Sequence, residues 1–205
     1  RFYASLTLFM GAMIGAVLAD DLVLLVVFWE LTSLTSFLLI GTTPEEMQSR
    51  RSAQQGLLVT VAGGLALLAA VILLGTIAGT YSISGILAQR EVIVEHPAAP
   101  AIMALLAAGA FAKSAQVPFH SWLPNAMVAP TPVSAFLHSA MMVKLGVYLL
   151  ARFSPLFDGE ALWIGLLTVA GGATMIAGAV LALRETDLKR VLAYSTVVSL
   201  GTLVL

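Results

Sequence analysis

The sequence contains no cysteine. That absence excludes structural disulfides, thiolate metal clusters and cysteine-held iron–sulfur centres together. Charge is scarce as well: Asp, Glu, Lys and Arg make up 10% of residues, where a soluble domain carries about 25%. No basic stripe runs along the chain, so nothing points to nucleic acid. The formal net charge of −1 carries no message about partners. No haem or flavin fingerprint occurs, and redox chemistry coupled to this chain would have to sit on a partner chain. The three histidines show no metal-ligand spacing. No cofactor and no metal is expected.

What the chain does have is long apolar runs, with 60% hydrophobic residues. A bilayer core about 30 Å thick takes roughly 20 residues of helix. Residues 2–19 make one such span and 22–41 a second, joined at Asp20 and Asp21. Residues 42–52 read as a polar loop. A third span, about 54–79, is rich in glycine and alanine, which let neighbouring helices come close. Residues 80–97 form a loop with room for a short surface helix. From 98 to 129 an unbroken helix would be about 48 Å long at 1.5 Å per residue. Pro118 and Pro124 each remove a backbone donor and clash with the preceding turn. The sequence therefore predicts a helix in two parts, 98–116 and 121–129. A fifth span runs 131–152, a sixth 161–183, and a seventh begins near Leu188. The fold class is an all-α membrane protein, a helix bundle with one broken transmembrane helix. The chain starts at Arg1 and ends within an apolar run, so it is expected to be a fragment of a longer protein.

Lys and Arg gather at one set of helix ends, at Arg1, Arg50, Arg51, Arg184, Lys189 and Arg190; the opposite set has Arg90 and Arg152. The positive-inside bias places the first set, with loops 42–52 and 184–190, on the cytoplasmic side.

Five ionisable side chains fall at membrane depth, where a charge costs roughly 2.5 kcal/mol or more at a helix centre. Glu30 lies within the second span and Lys113 one turn before the break. Either Glu30 exchanges protons, or it serves a structural ion pair or stays permanently neutral. Lys113 either releases a proton from a desolvated site or snorkels to an interface, and Glu30 is its expected partner. His120 lies in the irregular stretch, where backbone hydrogen bonding and proton relay are both open; His138 is within a helix, which suits relay. Lys144 is six residues past His138, about 240° round an α-helix, so the two do not share a face. Lys144 reads as a later step of the same path or as the partner of an unseen carboxylate. The hydroxyls of Thr32, Ser33, Thr35 and Ser36 either orient water or bond their own helix backbone. Trp29, Trp122 and Trp163 read as packing or interface residues.

Three stretches, ADDLVLLVVFWELTSLTSFLLIG, KSAQVPFHSWLPNAMVAPTPVSAFLHSAMMVKLGVYLLAR and TDLKRVLAYSTVVSLGTLVL, resemble the antiporter-like membrane subunits of respiratory complex I and of Mrp-type sodium/proton antiporters. Within that family the chain resembles the Mrp branch and its A subunits. Lys144 stands where the complex I subunit usually has threonine, and Val61 and Gly64 where that subunit has arginine and aspartate. The resemblance implies an inverted-repeat fold of two five-helix units. Residues 1–152 would be the first repeat, with its broken helix at about 98–129, and 153–205 the first two helices of the second. It also implies that Glu30, Lys113 and His138 are proton-path residues, with the Glu–Lys pair as a switch.

The reading is a transporter subunit, not an enzyme, in a multi-subunit sodium/proton antiporter of the bacterial plasma membrane. Its path would run through Glu30, Lys113, His138 and Lys144, with His120 beside it. Its partners would be other membrane subunits of that complex, protons, sodium ions and the lipid bilayer. Two alternatives stand: a proton-pumping subunit of a complex I-like oxidoreductase or membrane-bound hydrogenase, and a scaffold whose buried charges only hold subunits together.

Overall fold

A computed structural model describes residues 2–43 and 45–205, with the side chains of 138–140 outside the description. The chain is helical almost throughout: α1 (Phe2–Leu18), α2 (Leu22–Ile40), α3 (Met47–Ala78), α4 (Ile83–Leu87), α5 (Arg90–Val94), α6 (Ala99–Lys113), α7 (Trp122–Asn125), α8 (Thr131–Ser134), α9 (Lys144–Phe153), α10 (Ala161–Ala182) and α11 (Leu188–Val204). Among the described residues the sole β feature is an isolated bridge between Asp21 and Ser82. Helices α2, α3 and α10 are long and apolar enough to cross a membrane, and α1 and α6 are shorter apolar helices.

Local chemistry sets the ends. Asp21 caps α2 by accepting the Leu24 amide at 2.9 Å, and Asp187 caps α11 by accepting that of Lys189 at 2.8 Å. Such caps satisfy amides that the first helical turn leaves unpaired. Gly79 ends α3 in the left-handed region at φ 66°, which costs glycine nothing.

Helices adjacent in sequence pack in turn, α1 on α2, α2 on α3, α3 on α6 and α6 on α9, and α9 returns to α1. The five enclose a core around Phe9, Leu25, Trp29, Leu67 and Leu106, all buried. Helix α10 packs on α11 and on α6. The small-residue expectation holds at the contact of α3 with α6, where a Cβ on Gly109 would lie 3.0 Å from the Gly63 carbonyl. Large apolar side chains such as Leu58 and Val169 point outward. Apolar cover of that extent is unusual in a soluble monomer and suits lipid.

Three expectations change. Residues 47–52 are helical rather than loop, because Met-Gln-Ser-Arg-Arg-Ser holds neither proline nor glycine and simply extends α3. The second part of the broken helix is a run of short 3₁₀ and α turns over 119–128, since its prolines remove the donors a regular helix needs. The fifth span is interrupted by a π-helical segment, Ala135–Met141.

Candidate functional site

Helix α6 stops at Lys113. The lysine therefore sits at the break itself, not a turn before it. Its side chain is fully buried and crosses to α2. There the ammonium donates to the Trp29 carbonyl at 3.1 Å and to Ser33 Oγ at 2.8 Å. It also lies 5.2 Å from the centre of the Trp29 ring, within cation–π range. The C-terminal end of a helix dipole favours a cation as well. Two acceptors, a ring face and a helix end thus surround a charge that has left water.

Glu30 follows Trp29 on α2, but its carboxylate turns toward α3. There Gly64 leaves the room: a Cβ at that position would overlap the carboxyl group. Glu30 Oε1 is buried without a hydrogen-bond partner. Glu30 and Lys113 are close enough to feel each other's charge, yet they form no direct ion pair. The other α2 hydroxyls bond their own backbone: Thr32 to the Trp29 carbonyl at 2.7 Å, Thr35 to that of Leu31 at 2.7 Å, and Ser36 to that of Ser33 at 2.8 Å.

Side chains from several elements hold the break open. The Trp122 indole donates to the Ala112 carbonyl at 3.1 Å, covering an acceptor that the end of α6 leaves over. Asn125 donates to Gln55 of α3 at 2.9 Å, and Gln55 donates to Ser121 at 3.2 Å. Ser114 and Gln116 are fully buried, and Ser114 Oγ, Gln116 Oε1 and His120 Nδ1 find no hydrogen-bond partner. Buried polar atoms are nearly always paired, so three such atoms within seven residues mark this stretch.

Of the remaining expected path residues, His138 lies in the π segment and its side chain is outside the described residues. Lys144 is exposed. It borders one groove of about 410 Å³ with Met13, Val17 and Tyr148 and another of about 400 Å³ with Thr131, Lys189 and Ser199. The angle expected between His138 and Lys144 does not apply, because the π segment closes hydrogen bonds over five residues, as from Met142 N to the Leu137 carbonyl at 2.9 Å, and so shifts the phase between them. The three tryptophans are buried, as packing residues are. Sequence reasoning missed what Trp29 and Ser33 do for Lys113, and the buried Gln116. The four-residue spacing of Trp29 and Ser33, one helical turn, was the available signal.

A buried lysine at a helix break, set against an apolar helix that carries a carboxylate, lies at the centre of an all-helical integral membrane protein. Residues 19–205 match the family described as NADH:quinone oxidoreductase/Mrp antiporter, TM, and the chain belongs to that family. It is 50% identical over 203 residues to the A subunit of the Na(+)/H(+) antiporter of Bacillus subtilis (strain 168), covering 99% of this chain and 25% of that protein. It is 49% identical over 201 residues to the A/B subunit of a probable K(+)/H(+) antiporter of Rhizobium meliloti (strain 1021), covering 98% and 20%. It superposes with a TM-score of 0.94 and 50% identity on a chain in the structure of the Mrp complex from Dietzia sp. DQ12-45-1b, covering 99% of this chain and 22% of that one. The chain thus spans between a fifth and a quarter of the length of these relatives.

Proposed function

We propose that this chain carries part of the proton path of a multi-subunit cation/proton antiporter in a bacterial plasma membrane. The observation that carries the reading is Lys113, fully buried at the break and held by α2 beside Glu30 without an ion pair. A buried lysine is stable charged only while its acceptors stay in place. Small movements of Glu30 toward or away from it change its hold on a proton. Glu30 Oε1, Ser114 Oγ, Gln116 Oε1 and His120 Nδ1 supply the polar lining that a short chain of waters needs. Beyond the break, His138 and then Lys144 pass the proton on, and Lys144 faces the grooves where further helices of the protein pack. The ring of α1, α2, α3, α6 and α8–α9 forms the first repeat, and α10 with α11 begins the second.

The start of α3 and residues 184–190 lie at one end of the bundle, since Gln48, Arg51, Asp187 and Arg190 line one polar cavity there. The Lys and Arg bias makes that end cytoplasmic. The partners are other membrane subunits of the antiporter, protons, sodium ions and lipid. The protein works as a transporter component, with no bond-making chemistry of its own. The test is sodium-dependent proton flux in everted vesicles carrying the whole complex, with assembly checked on native gels. Lys113→Ala is expected to abolish flux while the complex still assembles; full flux in an assembled complex would overturn the path and leave the buried charges structural.

A further inference from the structure

Past Lys113 the backbone amides lose their regular helical partners one by one. Ser114 N still reaches the Ala110 carbonyl at 2.8 Å, and Gln116 N reaches that of Phe111 at 2.9 Å. Ala115 between them is in the left-handed region at φ 49°, and Pro118 has no amide hydrogen. The Val117 amide is bonded outside its own element. It donates to Thr174 Oγ1 of α10 at 2.8 Å, 57 residues along the chain. Thr174 is fully buried, and its hydroxyl hydrogen is committed to the Ala170 carbonyl at 2.6 Å. A hydroxyl has one donor and two lone pairs, so with its hydrogen spent on α10 it can only accept from Val117. Its direction is fixed.

We propose that Thr174 is a positioning residue for Lys113: it fixes the far side of the break, so that the lysine at the near side stays seated on the Trp29 carbonyl and Ser33. The inference rests on the reading of Lys113 as a transport group. It makes α10 the element through which the helices beyond the first five act on the lysine. A threonine that only packed, or only bonded its own helix as buried threonines commonly do, would leave the Val117 amide to another acceptor.

The test uses the full complex with Thr174→Val, which keeps the shape and removes the acceptor, and Thr174→Ser, which keeps the acceptor. Amide exchange at Val117 in the purified complex is expected to rise about tenfold in the valine variant, the scale of one lost buried hydrogen bond, and to stay at the wild-type rate in the serine variant. In everted vesicles the valine variant is expected to lose turnover about tenfold with its sodium KM unchanged, and serine to restore it. Unchanged Val117 exchange in the valine variant overturns the assignment. Raised exchange with wild-type turnover overturns the link to Lys113. If Lys113→Ala keeps full flux while Val117 exchange still rises, the proton path fails and Thr174 only holds the break. The two failures are therefore distinguishable.

Discussion

Two clusters of charge in this molecule are built in opposite ways. At the rim, Asp20 accepts hydrogen bonds from Ser84 Oγ at 2.7 Å, Ser82 Oγ at 3.0 Å and Ser84 N at 3.2 Å, and pairs with Arg152 at 3.4 Å. Arg152 also meets the Tyr148 hydroxyl and the Val17 carbonyl, and Tyr148 bonds that same carbonyl at 2.6 Å. Every charge there has several partners, and water can replace any of them. Inside, Lys113 has two acceptors and a ring face, and one oxygen of Glu30 has no partner. The partners are abundant where solvent makes them dispensable and sparse where burial makes each one decisive. Exposed ion pairs contribute about 0–1 kcal/mol, whereas a hydrogen bond to a buried charged group is worth about 1.5–3 kcal/mol. The rim cluster ties α1, α4 and α9 together. The inner one is poised, since any group that moves can change the state of the lysine.

If that contrast is sound, variants of the inner cluster act on transport far more than on assembly. Glu30→Gln keeps the shape and removes the charge that Lys113 feels. It is expected to lower sodium-dependent proton flux on the order of a hundredfold, with normal assembly on native gels. A glutamine complex that transports at the wild-type rate would falsify the electrostatic role of Glu30. Ser33→Ala removes one of the two acceptors of the ammonium. A hydrogen bond to a charged group is worth about 1.5–3 kcal/mol, so a loss of about tenfold in flux is expected, smaller than for Glu30→Gln because the Trp29 carbonyl remains. Equal losses in the two variants would mean that geometry, not charge, limits the site.

Much of this arrangement was legible in the residues themselves. Glu30 and Lys113 stood out because charge in hydrocarbon is expensive, and the prolines at 118 and 124 broke the fourth element by donor loss and by their clash with the preceding turn. Helix α10 was readable from its apolar run, ending at Ala182 where 183 was expected. Long-range partners were less legible. Nothing local in LTVAGGATMI tells that Thr174 accepts an amide 57 residues earlier, and Trp29 read as packing because its function lies in its carbonyl and ring face. The Glu30–Lys113 pair was expected as a contact, whereas Gly64 draws the carboxylate toward α3. The π segment over Ala135–Met141 has no proline or glycine to announce it. A widened turn in a helix is set by what packs around it, and sequence spacing alone cannot show that.

The rim gives the smallest effect and the sharpest test of the contrast. The Asp20 carboxyl is held below the ordinary carboxylate range, chiefly by the Ser84 hydroxyl, then by that of Ser82, with the charge of Arg152 a lesser contribution. A carboxyl lowered on folding contributes stability that is fully present above its unfolded value, about 4, and lost as pH falls through the folded value. Asp20→Asn should therefore lower the melting temperature of the purified complex slightly at pH 7, on the order of 1 °C. That difference should begin to shrink as the pH falls below about 4 and close once the pH passes the lowered folded value, where wild-type Asp20 is also neutral. Flux at pH 7 should match the wild type. A melting difference that persists at low pH would mean the asparagine disturbs packing rather than charge. A collapse of flux with the melting temperature intact would move Asp20 from the rim staple to the path, and the division between solvated, oversupplied charges and buried, undersupplied ones would no longer separate structure from transport.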